Sequence, residues 1–191
     1  MIIDSELVRK CLEGKRRAYN SLYEKLYSYL MNVCIRYNNN YDEAEASANE
    51  IFLRIIINLK QYNSQKSILP WVKTIAINYL TDEFRKSKTQ KNSFLMNEDM
   101  APFENEVSNI KIEGLLEAKD LLKMVQSLPT ACRKIFNLYA IDGYTHKEIA
   151  EMLLINEGTS KTQLHIARFK LQKMIEDEQN KIKATQFEKS R

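Results

Sequence analysis

Apolar positions recur along this chain at the three-to-four-residue spacing of helices, not with the alternation of strands. In the first strong segment Leu22, Leu26, Tyr29, Leu30 and Val33 fall on one face. The polar run NNNYD interrupts it. Asp42 followed by Glu45 has the spacing of a capping box and predicts a second helix, on which Ala48, Ile51, Phe52, Ile55 and Leu59 share a side. QYNSQKS reads as a polar loop. Pro70 suits the first turn of a third helix, with Val72, Ile75, Ala76 and Tyr79 facing inward and the basic cluster FRKSKTQK at its end.

The same pattern resumes further on. Pro129 predicts the start of a helix carrying Cys132, Ile135, Phe136 and Tyr139 on one side, and Gly143 is placed to end it. Thr145 with Glu148 forms a second capping box, ahead of Ile149, Ala150 and Leu153. After LIN the chain re-enters helix at Glu157 or Gly158. Ser160, Leu164, Ala167 and Leu171 then make an inward stripe, and the opposite side offers Lys161, Thr162, His165 and Arg168. Two short helices joined by so tight a turn form a helix-turn-helix, whose second helix enters a DNA major groove. In that setting Lys161 and Arg168 meet phosphates or guanine edges, and Thr162 and Gln163 meet bases or backbone. Gly158 lets the helix start approach a phosphate near the positive end of its dipole. A solvated face on a small helical bundle is the competing reading; the turn and the cap favour DNA.

These elements predict an all-α protein of two small helical domains, residues 5–88 and 113–175, the second with three or four helices. The stretch 89–112 between them is polar, mixed in charge and interrupted by Pro102, as a flexible linker would be. Its length corresponds to about 80 Å fully extended and about 27 Å as a coil. Residues 176–191 form a charged tail that is expected to fray.

Composition agrees with helices: four Gly and three Pro in 191 residues, with Leu, Ile, Glu and Lys abundant. A net charge of +4 is too mild to name a polyanion partner by itself. Cys11, Cys34 and Cys132 are far apart and odd in number, which suits reduced, partly buried thiols in a cytosolic protein. No apolar run approaches the roughly 20 residues that span a bilayer, because Arg54 interrupts IFLRIIINL. The N-terminus carries Asp4 and Glu6 within too short an apolar stretch for a signal peptide, so the chain is expected in the cytoplasm. No nucleophile–base pair, phosphate loop or metal-ligating cluster stands out, and His146 and His165 are isolated; no enzymatic activity, metal or cofactor is expected.

The stretch SLPTACRKIFNLYAIDGYTHKEIAEMLLINEGTSKTQLHIARFKL resembles region 4 of the bacterial sigma factors of the sigma-70 family. It follows the pattern LP…R…F…L…G-Y-[ST]-x-x-E-I-A…E-G-T-x-K-x-x-L-x-x-A-R over some 45 residues. The first block resembles region 2 of the same family through AEASANEIFLRII and WVKTIAINYLTDEFRKSK. Two such domains with a short N-terminus and a linker between them resemble the extracytoplasmic-function (ECF) group.

That resemblance implies a mechanism. The helix bearing Glu45, Asn49, Glu50, Phe52, Leu53 and Ile56 would dock on the β′ clamp helices of core RNA polymerase, and region 4 would meet the β flap. Tyr62, Asn63, Ser67, Trp71, Thr74 and Asn78 would capture the melted −10 strand, with Lys73, Arg85, Lys86 and Lys88 holding its backbone. Thr145, Lys147, Gly158, Thr159, Lys161, Thr162, His165 and Arg168 would read the −35 duplex. An anti-sigma factor is the inhibitor the family implies.

Four features depart from the family pattern. Leu154 stands where a Gly is usual in the turn, and Ser160 stands where an apolar residue packs. Ala46 and Asn49 replace an acidic residue and a Gln in the docking helix, and NSQKS lacks the usual Asp…Arg-Gly. Two alternatives remain open. An autonomous helix-turn-helix regulator binding duplex operators as a dimer leaves the first block without a role. A sigma-like adaptor that engages only an anti-sigma partner predicts no promoter opening.

Overall fold

The computed structural model describes residues 3–90 and 118–189, and side chains over 3–86 and 118–182. Among the described residues there are eight α-helices and no strand. The chain divides into two compact units, Met1–Ser87 and Lys88–Arg191. Most of the expected linker lies outside the described residues; its first two, 89 and 90, belong to a helix.

The N-terminal unit contains α1 (Ser5–Leu12), α2 (Arg16–Tyr37), α3 (Tyr41–Asn58) and all but the last three residues of α4 (Ile68–Gln90). Asp4 caps α1 by accepting from the Glu6 amide. Gly14, at φ 78°, supplies the left-handed residue that turns the chain into α2. Leu22, Leu26, Leu30 and Val33 are buried along α2, which packs against α3, and Ala48, Ile51, Ile55 and Leu59 are buried along and just after α3. Phe52 and Tyr29, both expected inside, are half-buried. Each fully buried leucine or isoleucine contributes about 1.5–3 kcal/mol through burial, so this seam outweighs any single polar contact in the unit.

The cap of α3 is Asn40 with Glu43, not Asp42 with Glu45. The Asn40 carboxamide accepts from the Glu43 amide at 2.8 Å, and Glu43 accepts from the Asn39 amide at 3.1 Å. Both pairs have suitable spacing, and the asparagine run presents its acceptor first. Asp42 is thereby left in the first turn, where its charge favours the helix dipole.

In α4 the expected inward positions Val72 and Ala76 are buried, whereas Ile75 and Tyr79 are half-buried. Ile68, Ile77, Leu80 and Thr81 widen the stripe, and Thr81 satisfies its hydroxyl by donating to the Ile77 carbonyl at 2.9 Å. Pro70 lies in the first turn, as expected.

The C-terminal unit contains α5 (Ala118–Ser127), α6 (Thr130–Phe136), α7 (His146–Leu153) and α8 (Glu157–Lys189). Leu128, Cys132, Ile166, Ala167 and Leu171 form a core cluster, with Met124, Val125 and Phe136 against it. Pro129 stands one residue before α6, in extended conformation. Beyond Phe136 the helix widens into a π turn over Asn137–Ile141, and Gly143 ends it at φ 84°. Arg133 is buried and donates to the Gln126 carbonyl at 2.6 Å, tying α6 to the end of α5.

The tail expected to fray from Glu176 is a continuation of α8, which reaches Lys189. No Gly or Pro follows Gly158 within that helix to stop it. Side-chain pairs one turn apart, Gln172 with Glu176 and Lys181 with Glu178, support its course. All three cysteines are buried and free, and burial pushes the Cys34 thiol up to about 12. Among the described residues no helix is long and apolar enough to cross a membrane.

Candidate nucleic-acid interface

The helix-turn-helix is assembled from local signals. Thr145 caps α7 in a complete capping box: its side chain accepts from the Glu148 amide, and Glu148 accepts from the Thr145 amide at 2.8 Å. Accepting from the Thr145 amide, and also from the Thr145 hydroxyl at 2.7 Å, holds the Glu148 carboxyl below its ordinary range. Leu154 ends α7 at φ 53°, ψ 54° and is the non-glycine residue with positive φ among those described. The departure from glycine therefore leaves the tight left-handed turn intact, at a cost of about 1–2 kcal/mol. Leu154 itself is 68% exposed, so packing offsets little of that strain.

Helix α8 enters at Glu157 and presents two contrasting faces. Ser160, Leu164, Ala167 and Leu171 are buried, as the spacing predicts. Ser160 does not weaken the stripe, because its hydroxyl bonds His146 Nδ1 at 2.9 Å across the two helices. Gln163 is a correction: it is buried, and its Oε1 accepts from the Cys132 thiol at 2.9 Å, so it belongs to the core. Lys147, Gly158, Lys161, Thr162 and Arg168 are exposed, while Thr159 and His165 are half-buried. A Cβ on Gly158 would meet nothing within 4 Å, so the fold of this unit does not itself demand glycine there.

Arg168 is not a loose cation. Its guanidinium lies 5.6 Å from the centroid of the Tyr139 ring, and that ring stacks on His146 with centroids 4.5 Å apart. Tyr139, His146, Ser160 and Arg168 thus form one chain of contacts linking α7 to the exposed side of α8. Burial first, and then the charge of Lys161, lower the His146 pKa and favour a neutral ring.

In the N-terminal unit the loop 62–67 is closed by its own bonds. Lys66 N–H donates to the Asn63 carbonyl at 3.0 Å, and Gln65 N–H donates to Asn63 Oδ1 at 2.9 Å. The Tyr62 hydroxyl donates to the Lys66 carbonyl, and its ring lies 5.4 Å from the Trp71 ring. Ser67 is exposed, Trp71 and Lys73 are half-buried, and Thr74 and Asn78 are exposed. Trp71, Thr74 and Asn78 follow helical spacing along one side of α4. The Thr74 hydroxyl is spent on the Pro70 carbonyl at 3.0 Å. Arg85 pairs with Asp82, and Lys86 pairs with Glu83 at 2.8 Å. Exposed pairs of this kind yield readily to a phosphate. The side chain of Lys88 lies outside those described.

The outer side of α3 carries a row one turn apart: Glu45, Asn49, Leu53 and Ile57. Leu53 is 56% exposed and Ile57 is 75% exposed, an apolar surface without cover from its own unit. Ile57 escaped the sequence reading because it is the last of three consecutive isoleucines, Ile55 to Ile57, which do not by themselves show which one faces out. The four-residue step from Asn49 through Leu53 was the signal that could have found it. Phe52 and Ile56 are half-buried beside this row. Glu50 lies 3.6 Å from Arg54, whose guanidinium sits 4.7 Å from the Tyr79 ring on α4. Glu45 and Asn49 accept from Tyr27 and Tyr23 of α2, at 3.0 and 2.6 Å.

Comparison with known proteins agrees with both units. The family model for sigma-70 region 2 matches residues 22–90, and that for sigma-70 region 4 matches residues 118–171. The chain is 26% identical over 181 residues to the ECF RNA polymerase sigma factor SigW of Bacillus subtilis, covering 89% of this chain and 95% of that protein. It is 23% identical to the RNA polymerase sigma-H factor of Pseudomonas aeruginosa, covering 91% of this chain and 94% of that protein. A solved structure of the sigma factor RpoE of Bartonella quintana, in complex with the anti-sigma factor NepR, matches with a TM-score of 0.49 at 18% identity, covering 83% of this chain and 96% of that one. With the two regional matches spanning most of its length, the chain belongs to the sigma-70 family of RNA polymerase sigma factors, in its extracytoplasmic-function group.

Proposed function

We propose that this sigma factor docks on core polymerase through the α3 row, captures the melted −10 strand along α4, and reads the −35 duplex with α8. The observation that carries the reading is the division of α8 into a buried stripe and an exposed face bearing Lys161, Thr162 and Arg168. A helix that buries Gln163 and Ser160 yet keeps its cations outside is organised to meet a polyanion from one side. On α4, Trp71 and Asn78 offer a ring to stack on and an amide to hydrogen-bond an unpaired base. The exposed Leu53 and Ile57 supply apolar area for a protein partner. An anti-sigma factor that covers the α3 row is the inhibitor this reading expects.

The test is transcription from a genomic fragment library by bacterial core polymerase, with and without this protein. Discrete start sites that require both components support the reading and deliver the promoter consensus. A stable complex with core that opens no promoter in the library counts against −10 capture. Binding of duplex sites by the protein alone, as a dimer and without core, would replace this reading with the autonomous regulator.

A further inference from the structure

Helices α2 and α3 meet through two matched steps. On α2, Tyr23 and Tyr27 are one turn apart; on α3, Asn49 and Glu45 are one turn apart. Tyr23 donates to Asn49 Oδ1 at 2.6 Å, and Tyr27 donates to Glu45 Oε1 at 3.0 Å. The antiparallel course makes the earlier tyrosine meet the later acceptor. Each tyrosine is fixed in turn: the Tyr23 ring sits edge-on to Phe52 with centroids 4.9 Å apart, and 5.4 Å from the Tyr27 ring. The Tyr27 hydroxyl also lies 3.1 Å from that of Tyr41.

We infer that Tyr23 and Tyr27 are positioning residues for the polymerase-docking surface, holding Asn49 and Glu45 in the rotamers that a partner meets at the polar half of the α3 row. This rests on the docking role proposed for α3. An exposed Asn or Glu at a helix surface ordinarily samples several rotamers, and an interface that needs one of them must order it on binding. Here the ordering is done beforehand by a phenol hydroxyl from a neighbouring helix. Asn49 has its carbonyl oxygen engaged by Tyr23, which leaves the amide Nδ2 as the group available to donate to a partner. Leu53 and Ile57 continue the same row without such a clamp, and apolar side chains in a hydrophobic contact require none. The row therefore has a polar half set by α2 and an apolar half that needs only exposure.

The experiment uses the full chain and purified bacterial core polymerase. Tyr23→Phe and Tyr27→Phe retain both rings and remove only the hydroxyls. Each is expected to weaken core binding about fivefold, the consequence of losing one hydrogen bond that orders a contact group. The Asn49 side-chain amide resonances should shift and sharpen towards those of a free side chain in Tyr23→Phe. The decisive comparison is in the Asn49→Ala background, where Tyr23→Phe should have no further effect on affinity because it acts through Asn49. Unchanged affinity in both tyrosine variants would overturn the inference. So would an equal loss from Tyr23→Phe with and without Asn49, since that is what a purely structural tyrosine would produce. The docking role is checked separately by Leu53→Asp. Full core binding by Leu53→Asp places the docking surface elsewhere and removes the inference with it, whatever the resonances of Asn49 report.

Discussion

The two surfaces proposed to work, the α3–α4 side of the N-terminal unit and the α7–α8 pair of the C-terminal unit, are built in opposite ways. The α7–α8 pair is specified by short-range devices: a capping box at Thr145, a left-handed residue at Leu154 and a helix start at Glu157. Its cation Arg168 is aimed by a tyrosine ring, and its buried polar residues Ser160 and Gln163 find a histidine and a cysteine thiol. The polar half of the α3 row, Glu45 and Asn49, is held by side chains from a neighbouring helix, Tyr27 and Tyr23. Arg54 stacks over Tyr79 as Arg168 does over Tyr139, so the same aromatic support serves both units. The α7–α8 pair thus adds cross-helix contacts to its local signals, whereas the polar half of the α3 row relies on hydrogen bonds from the neighbouring helix.

The strongest way to break either surface is through its core. Ile51→Ala under the α3 row and Leu153→Ala under the helix-turn-helix each remove a fully buried side chain and should cost about 2–5 kcal/mol in denaturant unfolding. Next come the contacts themselves. Lys161→Ala or Arg168→Ala should weaken binding of the polymerase complex to its −35 duplex by about 1–3 kcal/mol if the contact is to a base. Loss that is uniform across sequences would instead assign the side chain to a phosphate.

Smaller effects sharpen the comparison. Thr145→Ala removes the cap of α7 and should destabilise by about 1 kcal/mol, measured by the shift in unfolding midpoint. Leu154→Gly should do the reverse and stabilise by about 1 kcal/mol, because glycine accepts the left-handed conformation and the exposed leucine packs little. A destabilised Leu154→Gly would mean that the leucine side chain contributes more than the strain it causes.

The smallest expected effect is on pH. Burial and Lys161 lower the folded pKa of His146, so folding favours its neutral form. That contribution is complete above the ordinary histidine pKa of about 6.5 and is lost as pH falls through the interval down to the lowered folded value. Unfolding midpoints measured on both sides of that interval should fall more with acid in the native chain than in His146→Gln.

The reach of the sequence differed between the two surfaces for the same reason. The capping box at Thr145 and Glu148 and the inward stripe of α8 were legible, because each depends on residues a few positions apart. Gln163 was misread as a DNA-facing group. Its burial depends on Cys132, 31 residues away, which no periodicity reports. Ile57 was hidden as the last of three consecutive isoleucines. The α3 cap was displaced to Asn40 because two equivalent signals lay two residues apart.

By itself the sequence determined the all-α class, the helix-turn-helix with its turn, and the membership of the family, through motifs whose spacing is local. Tertiary structure alone decided which polar groups are occupied and which are available. Asn49, Glu45, Ser160 and Gln163 look alike in sequence as polar residues on helices. Two are held at the surface by tyrosines and two are taken into the core, because a hydrogen-bond partner on another helix determines whether a polar side chain can be buried without loss.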